Sequence, residues 1–214
     1  MHATIRLTPL AAALALVATQ AGAVTLTFDD LAIGTTLSNQ YAAQGATFSA
    51  NAFSGPGTST SGEAWATNAD MTIVDSAGAD VGGLGVPALV SGNILRSFDG
   101  WLSEDGDPSF TITFASVATG FSATFAGVFT ASDVSVYAYN GATLVGTVNG
   151  VGTGQIVISY AGPLTSVAIR PGTFNDWVGV ENITYTLAPV PEVGTYAMMA
   201  MGLGLIAFKR RKRA

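Results

Sequence analysis

Between Thr25 and Leu187 apolar and polar residues alternate with a period of two. Phe110-Thr-Ile-Thr-Phe114, Val134-Ser-Val-Tyr-Ala138 and Gln155-Ile-Val-Ile-Ser-Tyr160 carry the pattern of strands with one buried face. The same reading predicts strands at Thr25–Phe28, Ala46–Ser49, Met71–Val74, Ile94–Phe98, Phe121–Phe125, Leu144–Val148, Ser166–Arg170 and Val178–Leu187. No stretch in this region holds an amphipathic helical period over about twelve residues. Asn140-Gly141 lies between two strand patterns and predicts a type I′ hairpin, whose two central residues both need φ > 0. Roughly ten short strands separated by Gly, Asn, Asp and Pro clusters predict one antiparallel β-sandwich over residues 24–187, of jelly-roll type. Ser54–Gly62 and Ser76–Gly85 read as long loops inside that domain, and no internal repeat of fixed period is found.

Charge changes the picture at the ends. The net charge of −6 averages two different regions. Residues 24–187 hold thirteen acidic and two basic residues, Arg96 and Arg170, for −11. Five of the eight basic residues stand together as Lys209, Arg210, Arg211, Lys212 and Arg213. An acidic body with two arginines is a poor ligand for polyphosphate, which argues against nucleic acid as a partner.

The inventory also limits the chemistry. There is no cysteine, the one histidine is His2, and no lysine precedes Lys209. Histidine-based nucleophilic triads, Cys/His zinc sites and Schiff-base or P-loop lysines are therefore excluded from the body. What remains is carboxylates, tyrosines, hydroxyls and any metal held on oxygen.

Three sets of residues are candidates. Glu104, Asp105 and Asp107 around Gly106 form an acidic loop that suits a hard cation such as Ca2+, with a solvated acidic turn as the alternative. Asp29 or Asp30 with Glu181 form a second candidate cation site if the first and last strands are neighbours. Trp65, Trp101 and Trp177, with Tyr137 and Tyr139 on the face opposite Val134, Val136 and Ala138, are candidate stacking surfaces for sugar rings. For the tryptophans the alternative is a structural role capping the sandwich core. A glycosidase would need two carboxylates about 5 to 9.5 Å apart, and no pair is singled out by the pattern.

Both ends read as addresses. Arg6, an apolar run from Leu10 to Ala18 and the small-x-small site Ala21-Gly22-Ala23 predict a signal peptide over residues 1–23, cut by signal peptidase before Val24. Ala188-Pro-Val-Pro-Glu192 is a stiff, extended linker, because each proline fixes φ and turns its predecessor away from helix. An uncharged run, 195–208, follows, predicting one short hydrophobic helix, and then the basic cluster 209–213. Fourteen helical residues reach about 21 Å against a hydrocarbon core of ~30 Å, so the span depends on snorkelling Lys/Arg stems. Positive charges stop translocation and stay on the cytoplasmic side, leaving the body beyond the membrane.

Val190-Pro191-Glu192 with Gly194, a short helix rich in Gly, Leu, Ala and Met, and a terminal Arg/Lys cluster resemble the PEP-CTERM sorting tail, also known as the ice-binding-protein C-terminal domain. Val193 stands where that pattern has its second proline. The resemblance covers residues 188–214 and implies a Gram-negative host with an exosortase, a membrane protease that recognises Pro191-Glu192. It further implies removal of the tail and delivery to the cell surface or an extracellular polysaccharide matrix; an unprocessed membrane anchor is the alternative. More loosely, Thr27-Phe-Asp-Asp-Leu31, Gly34-Thr-Thr-Leu37 and Val180-Glu-Asn-Ile-Thr-Tyr-Thr186 resemble the opening and closing strands of sandwich bodies in proteins with such tails. The expected function is that of a non-catalytic, tail-sorted surface or matrix protein that contacts glycan. The alternatives are a carboxylate-dependent glycan hydrolase or lyase, and an ice- or surface-adhering protein; for the latter, Thr25/Thr27, Thr111/Thr113 and Thr184/Thr186 recur without a shared period.

Overall fold

A computed structural model describes residues 22–50, 52, 71–77, 90–96, 109–173, 176–189 and 201–202. The chain divides into two compact units, and Ala21–Ala188 is the one that holds every described strand. These are β1 (Ala23–Leu26), β2 (Ala46–Ala50), β3 (Thr72–Asp75), β4 (Asn93–Arg96), β5 (Phe110–Val128), β6 (Val134–Asn140), β7 (Thr143–Asn149), β8 (Gly154–Thr173), β9 (Asp176–Trp177) and β10 (Gly179–Leu187). All pairings are antiparallel, so the all-β, sandwich-like reading of the alternation holds. No helix among the described residues is long and apolar enough to cross a membrane. Residues 1–21 of the expected signal and most of the expected tail helix lie outside the described residues; Ala23, the last residue of the expected signal, already belongs to β1, and within the tail helix Met201 and Gly202 are helical.

The architecture turns on two long strands. Phe110–Phe114 and Phe121–Phe125, expected as separate strands, are the two halves of β5; Gln155–Tyr160 and Ser166–Arg170 are likewise both part of β8. Each changes partners midway. The first half of β5 runs beside β2 and the second half of β8, while its second half runs beside β10 and the first half of β8. The register slips around Ala118, where β-bulges interrupt the pairing. Phe110, Ile112 and Phe114 are buried at even positions, but Phe121, Ala123 and Phe125 at odd ones. The extra residues taken up at these bulges let both halves aim at the same core despite that change of phase.

Two layers result. One is β1, β3 and β4 with β10 and the adjoining halves of β5 and β8; the other is β2, the remaining halves of β5 and β8, then β6 and β7. A single main core lies between them. Its aromatic spine runs from Phe28 to Tyr41 (ring centroids 5.9 Å apart), Phe48 (6.3 Å) and Phe110 (6.4 Å). Phe114 packs on Tyr185 at 4.9 Å, and the Tyr185 hydroxyl donates to the Gln44 carbonyl over 2.8 Å. Burial raises the Tyr185 phenol to about 12, since the charged form has no water to stabilise it.

Two local expectations are corrected. The hairpin after β6 lies where the sequence put it, but Asn140 pairs with Thr143, so the two-residue loop is Gly141-Ala142. Gly141 has φ +60 while Asn140 and Ala142 are not in the left-handed region. This is the glycine-first arrangement of a type II′ turn, not the expected type I′. The first strand ends at Leu26 instead of Phe28, because Phe28 takes φ +66 and starts a turn closed by the Leu31 amide donating to the Phe28 carbonyl at 3.0 Å.

Candidate functional site

The first and last strands are neighbours, as the second cation candidate required. Ala23, Val24, Thr25 and Leu26 lie opposite Thr186, Tyr185, Thr184 and Ile183. Along the same edge of β10, β4 pairs with Gly179 and Val180. Between these two partners β10 slips register at Glu181 and Asn182, the latter at φ +48. The turn after β1 delivers Asp29 to this junction.

Asp29 is held there by backbone. The Asn93 amide donates to its Oδ1 over 2.8 Å, and the Asn93 side-chain amide donates to the carbonyls of Phe28 (3.2 Å) and Leu31 (2.9 Å). Its carboxylate fills the space a Cβ on Gly92 would need. Asp30 is turned elsewhere, accepting a short hydrogen bond from the hydroxyl of Tyr41. Burial foremost, then that bond and the nearby carboxylates, push the Tyr41 phenol well above its ordinary value.

Glu181 is 7% exposed. Its carboxyl is pushed up, first by burial and then by the charge of Asp29, with the hydrogen bond to Asn182 acting in the opposite direction. The charge of Asp29 thus reaches Glu181, while Asp30 accepts from the Tyr41 hydroxyl. Among the described residues no group of three or more His, Cys, Asp or Glu side chains could hold a metal ion. Asp29 is exposed and accepts the Asn93 amide, whereas Glu181 is buried.

The Tyr137 and Tyr139 side of β6 is different. Val134, Val136 and Ala138 are buried in the core, and both tyrosines are half-buried on the opposite face. Register places Ser49, Thr111, Ala168, Tyr137 and Thr147 in one row across that face. Thr47, Thr113, Ser166, Tyr139 and Leu144 make the next row. No sequence period revealed this array, because its members come from five strands; the signal available was the polar half of each alternation.

The remaining candidates, Trp65, Trp101, Glu104, Asp105 and Asp107, lie outside the described residues, as do Ala21, Val190, Pro191, Glu192, Gly194 and Lys209–Arg213. Trp177 falls in β9, whose backbone pairs with Gly172 of β8. The strand ends that flank the undescribed segments 53–70 and 97–108 can nevertheless be placed. Ala52 donates to the Ser109 carbonyl at 3.4 Å, and Thr72 pairs with Arg96. Both pairs lie at the end of the sandwich that also holds Phe129–Asp133 and β9, opposite the end where Ala23 pairs with Thr186. In comparisons with known proteins, no family model and no curated sequence matches the chain.

Proposed function

We propose that this is an exported, non-catalytic β-sandwich protein, carried by the signal 1–23 and sorted through the tail 188–214 to the cell surface or polysaccharide matrix of a Gram-negative bacterium, where it contacts glycan. The observation that carries the reading is the three-part tail, Val190-Pro191-Glu192, an apolar run and Lys209–Arg213, placed directly after the last strand ends at Leu187. Signal peptidase cuts before Val24, and an exosortase-like membrane protease acts at Pro191-Glu192. The basic cluster holds the short helix at the inner face of the membrane, which leaves the Pro-Glu stretch near the outer boundary.

The geometry of the body supports this role. Its first and last strands are adjacent, so the body's own first and last residues lie at one end of the sandwich, as a protein addressed through both termini allows. Adjacent terminal strands and two long strands shared between layers also favour a jelly-roll relationship between the sheets. Asp29 and Asp30 are committed to structural hydrogen bonds, which favours adhesion over hydrolysis.

The test is mass spectrometry of the protein recovered from the surface or medium of its host. Released protein is expected to end near Glu192, and replacing both Pro191 and Glu192 with Ala is expected to block release while membrane insertion persists. Released protein intact through Ala214 would overturn the sorting reading and leave a plain anchor.

A further inference from the structure

We infer that the outer face of β2, β5, β8, β6 and β7 is a binding face for a neutral polysaccharide, with Tyr139 and Tyr137 as its stacking platform and Thr113, Thr47 and Ser166 as its hydroxyl contacts. The inference rests on the glycan-contact part of the proposed function and names the surface that makes the contact.

Charge is the first argument. The body carries −11, yet these five strands together contain no carboxylate and a single charged residue, Arg170. The described carboxylates lie on β3 and β10 or in the turn after β1. A polyanion would be repelled by the body as a whole, whereas a polyelectrolyte cation would meet no carboxylate on these five strands. Arg170, opposite Ser135, stands one row beyond Tyr137, and the Tyr137 and Tyr139 rows themselves hold no charged residue, so an uncharged, hydroxyl-rich polymer is the ligand whose polarity matches them.

Arrangement is the second. Neighbouring strands set side chains about 4.8 Å apart across a row, and the two rows stand about 6.7 Å apart along the strands. Thr47, whose hydroxyl donates to the Thr113 carbonyl over 3.5 Å and is left as an acceptor, Thr113 and Ser166 therefore present a short ladder of hydroxyls leading to Tyr139, which pairs on its other side with Leu144, 49% exposed. A sugar ring has apolar C–H faces and a rim of hydroxyls. The ring of Tyr139 with Leu144 suits the first, and the Thr/Ser ladder, able both to donate and to accept, suits the second. The sheet also twists by about 20–25° per strand, which spoils register with a flat crystalline lattice such as ice across five strands. A flexible chain of sugars can follow that twist.

Affinity electrophoresis of the full-length protein in neutral detergent tests the proposal, with hydroxyethylcellulose and galactomannan as neutral polymers and alginate and carboxymethylcellulose as anionic ones. The wild type is expected to be retarded by a neutral polymer and not by the anionic ones. Tyr139→Thr and Tyr137→Thr, which keep strand propensity, are expected to weaken retardation about tenfold each, the scale of one aromatic contact. Tyr139→Phe is expected to retain it. Circular dichroism establishes that each variant is folded; if Tyr139→Thr is not, the paired change Thr113→Val and Ser166→Ala is read in its place, with a several-fold loss expected. Retardation that survives these changes overturns the assignment of this face while leaving glycan contact intact. No retardation of the wild type by any polymer, retardation by the anionic ones alone, or thermal hysteresis without retardation overturns the inference, and the first and last also remove glycan contact from the proposed function.

Discussion

Ala23 lies directly opposite Thr186 in the β1–β10 pair, so the body is entered and left at the same end. Cleavage before Val24 would remove the first residue of β1 and leave Val24, Thr25 and Leu26 paired with Tyr185, Thr184 and Ile183. N-terminal sequencing of the exported protein is expected to return Val24. A start beyond Leu26 would strip β1 from the edge of β10, and a start well before residue 20 would refute cleavage at the small-x-small site.

Asp29 closes the gap between β1 and β4 along that edge by accepting the Asn93 amide. Asp29→Ala is expected to cost about 1–2 kcal/mol at pH 7, because it leaves a backbone donor without its charged acceptor. The same substitution removes a negative charge beside Glu181 and is expected to bring that carboxyl back toward its ordinary value. Denaturant unfolding followed as a function of pH reads both effects. An unchanged midpoint would show that Asp29 does not hold the junction.

Gly92 combines φ +88 with a Cβ position already occupied by the Asp29 carboxylate. Gly92→Ala therefore meets both the left-handed penalty of about 1–2 kcal/mol and a clash with the group that binds Asn93. It is expected to destabilise more than Gly34→Ala, where φ is +84 but nothing stands within 4 Å of the added methyl. Thermal melts of the two variants side by side give the comparison; equal losses would mean the carboxylate moves aside freely.

Alkaline pH should unfold the body earlier than its core size suggests. Tyr185, 1% exposed, keeps its proton up to about 12 in the folded state, against roughly 10 for an unfolded tyrosine. The folded chain binds more protons in that window, so stability falls as pH rises from about 10 toward 12, and Tyr41 acts in the same direction. Tyr185→Phe is expected to flatten this limb while costing about 1 kcal/mol at pH 7 through the unpaired Gln44 carbonyl. A melting temperature that falls just as steeply in the variant would remove Tyr185 from the account.

Glu181 behaves likewise at the acidic side. Its carboxyl is raised by burial and by Asp29, so the folded state holds its proton where the unfolded chain has released it. Stability contributed at this site is present below the unfolded glutamate value near 4.3 and is lost as pH rises through the higher folded value. Glu181→Gln is expected to raise the melting temperature at pH 7 and to weaken this dependence. A lower melting temperature at pH 7 would show that the ionised carboxylate is a net stabiliser.

The period-two alternation located β2, β3, β6 and β7 to within a residue or two, because a strand's side-chain period belongs to the backbone itself. It also placed Val134, Val136 and Ala138 inside and Tyr137 and Tyr139 outside. The hydrophobic phase change between Phe114 and Phe121 was present in the sequence too, but a phase change is equally a loop or a bulge. Only contact with one continuous β8 decides for a bulged strand.

What the sequence by itself determined is therefore local: an all-β body, its acidic charge, the absence of histidine and cysteine chemistry, and the addresses expected at its two ends. The tertiary structure decided everything that depends on which strand comes alongside which. It set the Asp29 carboxylate against the Asn93 amide and the Asp30 carboxylate against the Tyr41 hydroxyl, contacts that composition alone does not reveal. It buried Glu181 against a register slip, and it gathered Thr47, Thr113, Ser166 and Tyr139 into one row from four separate strands. The physical reason is that alternation states which side a residue faces, whereas neighbours, desolvation and shared surfaces arise from non-local pairing, which no window along the chain contains.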